Sequence, residues 1–518
     1  MLLPLLLLLA GQRTDTVDLL IRGGTVHDDT GAAARRADLG IRGDRIVFLG
    51  DAAGAGVQGR RTIDAAGLIV SPGFIDPHTH SFEGLTNLSE ARRKNTGAVM
   101  QGVTTVVTGA DGRGPLDIAR VMGEAERLGI GTNTYALAGF GTVRARVMGS
   151  SSAAATPAQV DSMRRLIAKA MDEGAFGVGS GLFYAPQSYA TTEEVIAVLK
   201  GASPYGGVYD THQRDESSYT IGLLNSVREA IRIGRETGLT TNLGHVKALG
   251  VDVWGYADSV LALMRAERAA GHMVVADQYP WTASGTSLVA SLVPRWAESG
   301  GRDSLKLRIA DPATRERILV EMRENLRRRG GDSTLLLTGG SAAARPMVGK
   351  TLKEVAAAKG TDAVEAALDL VGTTGDMSVA SFNMNERDIE TFMKDPYVMT
   401  SSDGSGGHPR LYGTYPRKIR RYVLDQPVIT MERMVRASSA QVAEVYGIPE
   451  RGQLREGYFA DVIVFDPRTV REQATYVEPE KLPTGIRWVF VNGKAAVEEG
   501  VPTGALAGRG IRKAVKPH

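Results

Sequence analysis

Two histidines separated by one residue close an apolar stretch in the sequence GFIDPHTH at residues 73–80. Residues i and i+2 of a β-strand face the same side, so His78 and His80 would point their imidazoles at one region of space. A lone His-x-His pair is weak evidence, because two hydrogen-bonded loop histidines give the same pattern. The pair therefore indicates a metal site only if other segments supply further ligands.

Residues of ligand type follow the ends of other apolar runs. His212 closes GGVYDTH and His245 closes TTNLGH, while Asp111 follows TVVTGA and Asp403 follows YVMTSS. The chain has 8 histidines, and four of them, with these two aspartates, fall at such ends. Each one taken singly is readily explained as a solvated loop residue, but their joint placement favours a metal site.

The types of these residues predict which metal and which reaction. Four imidazoles and two carboxylates suit one or two zinc ions or another borderline divalent ion, whereas calcium and magnesium prefer oxygen ligands. A bound ion lowers the pKa of its water towards about 7 and polarises a carbonyl group, so hydrolysis is the expected reaction. Asp403 is then the candidate general base that takes the proton of the water and returns it to the leaving group. The alternative for Asp403 is a turn-capping role in SSDGSGG.

The composition limits the possible classes of protein. The 518 residues are 43% hydrophobic and 23% charged, which allows a large domain and a smaller one. The net charge is only +3, and no basic run is interleaved with aromatic residues, which argues against nucleic acid as a partner. The sequence contains no cysteine, so disulfides, iron–sulfur clusters and thiol nucleophiles are excluded. Composition leaves the oligomeric state open.

The first 13 residues, MLLPLLLLLAGQR, form a leucine-rich run followed by small and polar residues. The run is too short for a transmembrane helix, so no membrane span is expected, and it resembles the hydrophobic part of a secretory signal without the usual positive start. This pattern favours a protein exported to the periplasm or secreted, and it leaves a cytoplasmic location open.

The middle of the chain alternates strands and helices. Eight runs are candidate strands: LIVSPGFID, GVTTVVTGAD, TNTYALAGF, FGVGSGLFY, GGVYDTH, TTNLGHV, MVVADQYP and YVMTSSD. Helical patterns with apolar residues at steps of three and four lie between several of them. We therefore predict an α/β fold with a TIM-like (β/α)8 barrel over residues 71–446, whose active site would lie at the carboxyl ends of the strands.

Two flanking segments and one long insertion complete the predicted domain organisation. Short β-strands broken by Gly and Asp occupy residues 14–70 and 447–510, and each segment is too small to close a core alone. We predict that they pair into a small composite β-sandwich. The barrel span exceeds the usual size, with the excess at about residues 281–395, which forms either a lid over the barrel mouth or a packed subdomain.

Several stretches together resemble the amidohydrolase superfamily and, within it, the N-acyl-D-amino-acid deacylase (D-aminoacylase) family. They are VSPGFIDPHTH, QGVTTVVTG, GAFGVGSGLFYAPQSYATTEE, GGVYDTHQRDE, GHVKALG, SSDGSGGHPRLYGTYPR and REGYFADVIVFDP. The resemblance covers nearly the whole chain and implies a metal-dependent barrel that hydrolyses an amide whose free-acid side is a D-amino acid. It also implies zinc ligation by His78, His80, His212 and His245, with Asp403 as the catalytic acid and base.

One position departs from this family. Where the family carries a metal-binding cysteine in a G-N-C-G segment, this sequence has Gly109-Ala110-Asp111-Gly112. A carboxylate can still bind or bridge metals, but it is a harder ligand than a thiolate and should hold zinc less tightly. Asp111 is therefore either a ligand of a retuned site, which we favour, or a turn residue beside a weakened one.

Substrate contacts are predicted from charge and position. Arg410 follows Asp403, and Lys247 lies two residues after His245, so either cation could bind a substrate carboxylate at the mouth. In the resembling family the lysine and a tyrosine at the position of Tyr279 are substrate contacts, and Tyr184 is a further candidate. Structural salt bridges or packed ring edges explain these four residues equally well.

Arg214, in THQRDE, has three predicted partners: Asp215, Glu216 or a ligand.

Other functions fit part of the same pattern. Within the superfamily the alternatives are a dipeptidase and a cyclic-amide hydrolase. The cyclic-amide relatives generally use a carbamylated lysine, and no lysine stands at the end of FGVGSGLFY. A non-catalytic binding protein is the alternative from another class, although the intact histidines and Asp403 argue against it. The chirality of the substrate and its acyl group stay open at this stage.

Overall fold

The structure is a computed structural model that describes residues 15–514, so the predicted leader at residues 1–13 lies outside the described residues. Within that range, no helix combines the length and the apolar character needed to cross a bilayer. The described chain begins with five strands, namely β1 (Asp15–Val26), β2 (Arg35–Arg42), β3 (Arg45–Gly50), β4 (Val57–Asp64) and β5 (Ile69–Pro72), with a short helix at Ala52–Ala55.

The barrel follows directly after β5. Its first seven staves are β6 (Phe74–Asp76), β7 (Val103–Thr108), a stave split into β8 (Asn133–Ala136) and β9 (Ala138–Gly139), β10 (Gly177–Gly181), β11 (Val208–His212), β12 (Thr240–Leu243) and β13 (Val274–Gln278). Neighbouring staves within each sheet pair in parallel. Every residue of β7, VTTVVT, is buried, as expected for a β-branched strand covered on both faces.

An inserted subdomain separates the seventh stave from the eighth. Its strands β14 (Ala283–Ser287), β15 (Leu335–Gly339) and β16 (Ser378–Phe382) form an antiparallel sheet in the order β14-β16-β15. Its helices are Leu288–Leu292, Arg302–Ala310, Pro312–Arg328, Leu352–Lys359 and Ala363–Thr373. A separate apolar cluster that includes Leu292, Ile318, Leu368 and Val379 forms its core. The insertion is therefore a packed subdomain, and its β14 edge also lines the cavity at the barrel mouth.

The predicted insertion boundaries are corrected at one end. The prediction placed residues up to 395 in the insertion, but the helix Glu386–Lys394 packs through Phe392 against Val260 and Met264 of the barrel helix Ala257–Ala269. This helix belongs to the barrel wall, because its apolar face is buried by barrel residues. The inserted strands span residues 283–382.

The eighth stave, β17 (Val398–Thr400), closes the barrel. It pairs in parallel with β13, and the chain beyond it returns to β6 through a parallel bridge between Thr79 and Gly404 and a hydrogen bond from the Asp403 amide to the His78 carbonyl. Each predicted strand run contains one of the eight staves. The remaining helices around the barrel are Phe82–Leu85, Glu90–Arg93, Thr96–Val99, Ile118–Leu128, Phe140–Met148, Pro157–Asp172, Thr192–Leu199, Leu223–Thr237, Arg410–Arg417, Met431–Ser438 and Ala440–Tyr446.

Apolar side chains from seven of the eight staves pack together in one cluster of the barrel. They are Ile75, Val107, Tyr135, Leu137, Phe176, Val208, Val275 and Met399, from seven of the staves or the residues next to them, with Leu243 of β12 in the adjoining cluster. The barrel is thus a packed core rather than a pore, and polar chemistry is confined to the strand ends.

The chain ends in four strands that join the first five. These strands are β18 (Val462–Phe465), β19 (Ile486–Val491), β20 (Lys494–Glu498) and β21 (Val501–Pro502). Pairing of β18 with β5 links the two terminal segments into one nine-stranded sheet. The two terminal segments thus form one composite β-domain, as predicted, and its strands are joined by continuous hydrogen-bonded pairing. The predicted fold class, an α/β barrel with an attached sheet domain, is confirmed.

Candidate active site

Asp111 lies at the centre of a group of three histidines at the barrel mouth. Its Oδ1 atom is 3.6 Å from each of three nitrogens, His78 Nε2, His212 Nδ1 and His245 Nε2. Asp111 is 4% exposed and His78 is fully buried. One carboxylate oxygen thus faces three imidazole nitrogens in a site shielded from water.

Two atoms of this group indicate that it suits a cation. His78 Nε2 and Asp111 Oδ1 are buried and make no hydrogen bond to any of the described residues. Neighbouring ligands of a tetrahedral zinc ion stand about 3.3 Å apart, because each zinc–nitrogen or zinc–oxygen bond is about 2 Å long. The 3.6 Å separations are close to that spacing. The donor set fits a divalent metal, which explains why buried polar atoms are left without partners.

His80 and Asp403 form the second part of the cluster. His80 Nε2 is 3.0 Å from Asp403 Oδ1 and 3.7 Å from Asp111 Oδ2. Asp403 Oδ1 is also 4.0 Å from His78 Nε2. All six predicted metal-binding residues, His78, His80, Asp111, His212, His245 and Asp403, therefore converge at the carboxyl ends of the strands.

The backbone of the cluster is held in conformations that most residues avoid. Asp111, His245 and Asp403 have positive φ angles of 55°, 37° and 46°. Non-glycine residues in this region are uncommon and cluster at functional sites, where the surrounding structure maintains the strain. All three residues lie just after a barrel strand, so the strained turns direct their side chains into the mouth.

Close packing between β10 and the loop after β7 fixes the position of Asp111. A Cβ atom added at Gly179 of β10 would lie 2.3 Å from the carbonyl oxygen of Gly109, so the loop after β7 can approach β10 only because that residue is glycine. The Gln187 side chain then fixes the loop, because its Nε2 donates to the Asp111 carbonyl at 2.7 Å and its Oε1 accepts from the Gly181 amide at 2.8 Å.

A buried polar network supports the histidines from below. Asp210 Oδ2 is 3.1 Å from His78 Nδ1, and Asp277 Oδ1 accepts a hydrogen bond from the His245 amide at 2.8 Å. The Asn242 amide nitrogen donates to both carboxylates, at 2.7 Å to Asp210 and 2.6 Å to Asp277. The sequence analysis missed these three residues, although each is a fully buried polar residue within a barrel strand.

Glu216 is a further site residue that the sequence analysis did not assign. Its Oε1 is 2.6 Å from Lys247 Nζ and 3.2 Å from His245 Nδ1, and its Oε2 is 3.6 Å from His212 Nε2. Burial acts to raise the pKa of Glu216, but Lys247 and the two histidines hold it well below its ordinary value. Glu216 thus stays ionised between the histidines and Lys247.

Arg410 contacts the candidate general base directly. Its NH1 atom is 2.6 Å from Asp403 Oδ2, and its guanidinium lies 4.9 Å from the centre of the Tyr279 ring. Burial acts to raise the pKa of Asp403, but Arg410, His245 and His80 together lower it well below the ordinary value. Asp403 is therefore held as a carboxylate.

The predicted substrate contacts all line one cavity. This cavity has a volume of about 690 Å³ and lies between the barrel mouth and the β14 edge of the insertion; Lys247, Tyr279, Arg410 and Tyr184 are among its lining residues. The Tyr279 hydroxyl is buried and makes no hydrogen bond within the described part of the chain. Burial raises the pKa of the Tyr184 hydroxyl, so it remains protonated. The centre of the Tyr184 ring lies 4.7 Å from the centre of the His212 ring.

Arg214 does not contact any of its predicted partners. It pairs with Glu229 of the helix Leu223–Thr237, with Nε 2.8 Å from Oε2, and it does not line the main cavity. Asp215 and Glu216 are engaged elsewhere, because Asp215 accepts from backbone amides of the following loop and Glu216 pairs with Lys247. The interpretation of Arg214 as a structural residue follows.

The sequence was compared with known families and proteins. Residues 61–497 match the Amidohydrolase family. The D-aminoacylase of Alcaligenes xylosoxydans xylosoxydans is 34% identical over 522 residues, covering 95% of this chain and 97% of that protein.

Two solved structures are similar over nearly the full length. A D-aminoacylase structure described by its binuclear metal centre superposes with a TM-score of 0.82 at 32% identity, covering 96% of this chain and 100% of the other. An N-acyl-D-glutamate deacylase from Bordetella bronchiseptica, complexed with zinc and a phosphonate inhibitor, superposes with a TM-score of 0.79 at 30% identity, covering 95% and 100%.

Proposed function

The chain belongs to the amidohydrolase family, and from that premise we propose that it is a zinc-dependent deacylase of N-acyl-D-amino acids. The products are a carboxylate and a free D-amino acid. The observation that carries the proposal is the convergence of four histidines and two aspartates on one buried point at the barrel mouth. Preference for a D-amino acid is supported by the whole-length similarity to D-aminoacylase.

The residues that would hold the metal are those around Asp111. His78, His212 and His245 would act with Asp111, whose Oδ1 faces all three, and His78, His80 and Asp403 form an overlapping set of potential ligands. Such a donor set suits one or two zinc ions. When bound, zinc supplies Lewis-acid polarisation of the substrate carbonyl and lowers the pKa of water to about 7.

Asp403 is the proposed acid and base. Its carboxylate lies 3.0 Å from His80 of the metal-binding cluster and lines the cavity, a position from which it can accept a proton from the attacking water. It then returns that proton to the amide nitrogen as the D-amino acid leaves. Its contacts with His80 and Arg410 and its position in the cavity lining support this role.

The substrate carboxylate is proposed to bind among Lys247, Arg410 and Tyr279. Lys247 Nζ lies 5.8 Å and Arg410 Cζ 4.9 Å from the centre of the Tyr279 ring, so the two cations flank one aromatic side chain. The unpaired Tyr279 hydroxyl adds a donor in the same region. A carboxylate is the ligand that this combination recognises best.

Release of free amine tests the proposal. Purified protein loaded with zinc is incubated with paired N-acetyl-D- and N-acetyl-L-amino acids, dipeptides ending in D- or L-residues, and cyclic amides. We expect turnover of the N-acetyl-D compounds, and the Asp403→Asn variant should lose roughly 10²–10⁴-fold of that rate. Turnover of dipeptides or cyclic amides alone would assign those reactions instead. Zinc binding without turnover of any compound would favour a binding protein.

Export stays a prediction that rests on residues 1–13 alone. Fractionation of the producing cell, with detection of the intact chain and of its N-terminus, would test it.

A further inference from the structure

A second cavity adjoins the active-site cavity. It has a volume of about 310 Å³ and lies between the barrel loop after β10 and the inserted subdomain. Four residues line both cavities: Ala185, Val289, Glu298 and Asp376. The two spaces therefore meet at a common wall, close to the strand end that carries Tyr184.

The second cavity combines an apolar wall with charged residues, of which Arg302 and Lys306 are exposed. Pro186 comes from the barrel loop, and Leu305 and Val371 come from two helices of the insertion. Leu305 and Val371 are only 5% and 7% exposed and belong to the packed core of the insertion, so they form the buried side of the cavity wall. An aliphatic group placed here would replace contacts with water by contacts with hydrocarbon.

The two acids at the junction already have partners. Glu298 pairs with Arg295 at 2.8 Å. Asp376 Oδ1 accepts hydrogen bonds from the backbone amides of Val289 and Met377, at 3.0 and 2.9 Å. Neither carboxylate needs a cationic ligand, so the junction does not select for a positively charged substrate group.

The position of the junction distinguishes the two ends of a substrate. Ala185 directly follows Tyr184, whose ring packs 4.7 Å from His212 of the metal cluster. Lys247, Tyr279 and Arg410 line the main cavity but not the second one. A substrate whose carboxylate is held by these three residues would direct its acyl end past the metal cluster, towards the wall that the two cavities share.

We propose that the second cavity binds the acyl chain of the substrate, and that the enzyme prefers aliphatic N-acyl groups longer than acetyl. This inference rests on the proposed deacylase function. A water-sized group occupies about 30 Å³, so 310 Å³ accommodates roughly ten such groups. An acyl chain of roughly six to ten carbons fits that volume.

A chain-length series tests the inference. The zinc-loaded enzyme is assayed with acetyl, butanoyl, hexanoyl, octanoyl and decanoyl derivatives of one D-amino acid. Each methylene that enters the cavity should raise kcat/KM by roughly two- to four-fold, up to a maximum at six to ten carbons. Turnover with acetyl equal to or better than octanoyl would overturn the acyl-chain site while leaving the deacylase function standing. Absence of turnover at every length would overturn both.

Two variants and a matched control test whether the preference for long acyl chains arises in the second cavity. Leu305→Trp fills the cavity, and Lys306→Trp narrows it from an exposed position where folding tolerates the change. Leu307→Trp is the control, because Leu307 lies on the same helix, is 73% exposed and does not line the cavity. We expect both cavity variants to lower kcat/KM for octanoyl at least tenfold and to leave acetyl unchanged. Equal effects of all three variants on all chain lengths would contradict the proposal.

Discussion

The Nδ1 atom of His78 lies 3.1 Å from Oδ2 of Asp210, and both side chains are fully removed from solvent. A histidine that binds a metal through Nε2 carries its proton on Nδ1, and a carboxylate that accepts this proton fixes the ring and increases its basicity. Asn242 holds the carboxylate in turn. Asp210 is thus a positioning residue for the metal cluster.

Replacing Asp210 by alanine should weaken zinc binding by roughly 10–100-fold, because His78 loses the partner that orients it. Zinc dissociation constants measured by competition with a chelator check this expectation. Asp215→Asn is the control, since Asp215 is equally buried in the loop after β11 but bonds only to the loop and the helix that follows it. Equal zinc affinity of Asp210→Ala and wild type would remove the positioning role.

Asp111 provides a second test of the metal site. Asp111→Cys should bind zinc roughly tenfold more tightly, because thiolate is the softer ligand, and Asp111→Asn should bind it less tightly. Asparagine tolerates the positive φ of 55°, so weaker zinc binding by that variant reports the missing charge rather than a folding defect. Chelator competition with thermal melting of each metal-free variant separates the two effects. If Asp111→Asn binds zinc as tightly as wild type, Asp111 is a turn residue.

Lys247 is expected to act on the substrate carboxylate. Lys247→Met should raise KM for an N-acyl-D-amino acid at least tenfold, because a buried cation that faces the anion is lost. The same variant should change KM little for the matching carboxamide, which carries no negative charge. Steady-state kinetics on this substrate pair decides the point, and equal losses for acid and amide would assign Lys247 to support of Glu216 and His245 instead.

Asp29, which lies outside the active site, makes the free energy of unfolding depend on pH. Burial raises its pKa from about 3.8 to about 6, against hydrogen bonds from the Ala440 amide and the Ser439 hydroxyl. The folded state therefore holds a proton that the unfolded state releases, so this contribution to stability is full below pH 4 and is lost as the pH rises through 6.

Asp29→Asn removes this titration while keeping an oxygen that can accept from Ala440. Relative to wild type, the variant should gain roughly 1–3 kcal/mol in free energy of unfolding between pH 4 and pH 7. Urea unfolding of both proteins across this range measures the gain. Parallel stability curves would show that Asp29 titrates at its ordinary pKa in the folded protein.

The sequence could predict the barrel and the ligands because both depend on local patterns. Five of the eight strand runs are closed or followed by a histidine or aspartate of ligand type, and parallel strands bring those ends together. His212 and His245, for example, come from neighbouring staves and lie 2.9 Å apart between Nδ1 and Nε2. The alternation of strands and helices predicts a parallel barrel, whose active site lies at the carboxyl ends of the strands.

The supporting residues could not be predicted in the same way. Asp210 and Asp277 lie inside buried strands, and their function depends on the hydrogen bonds that Asn242 makes to both from the strand between them. Glu216 was considered only as a partner of Arg214, which instead bonds to Glu229. Such pairings depend on side-chain packing between distant segments, for which a single sequence carries no periodic signal.

The nine-stranded sheet has a consequence for how the chain is made. The free edge of β5 is covered only by β18, nearly four hundred residues later in the sequence. During synthesis on the ribosome, the edge of residues 69–72 that faces β18 therefore keeps its backbone donors and acceptors unpaired until residues 462–465 emerge. Completion of this protein is thus a late event, and the nascent chain depends on protection of that strand edge for most of its translation.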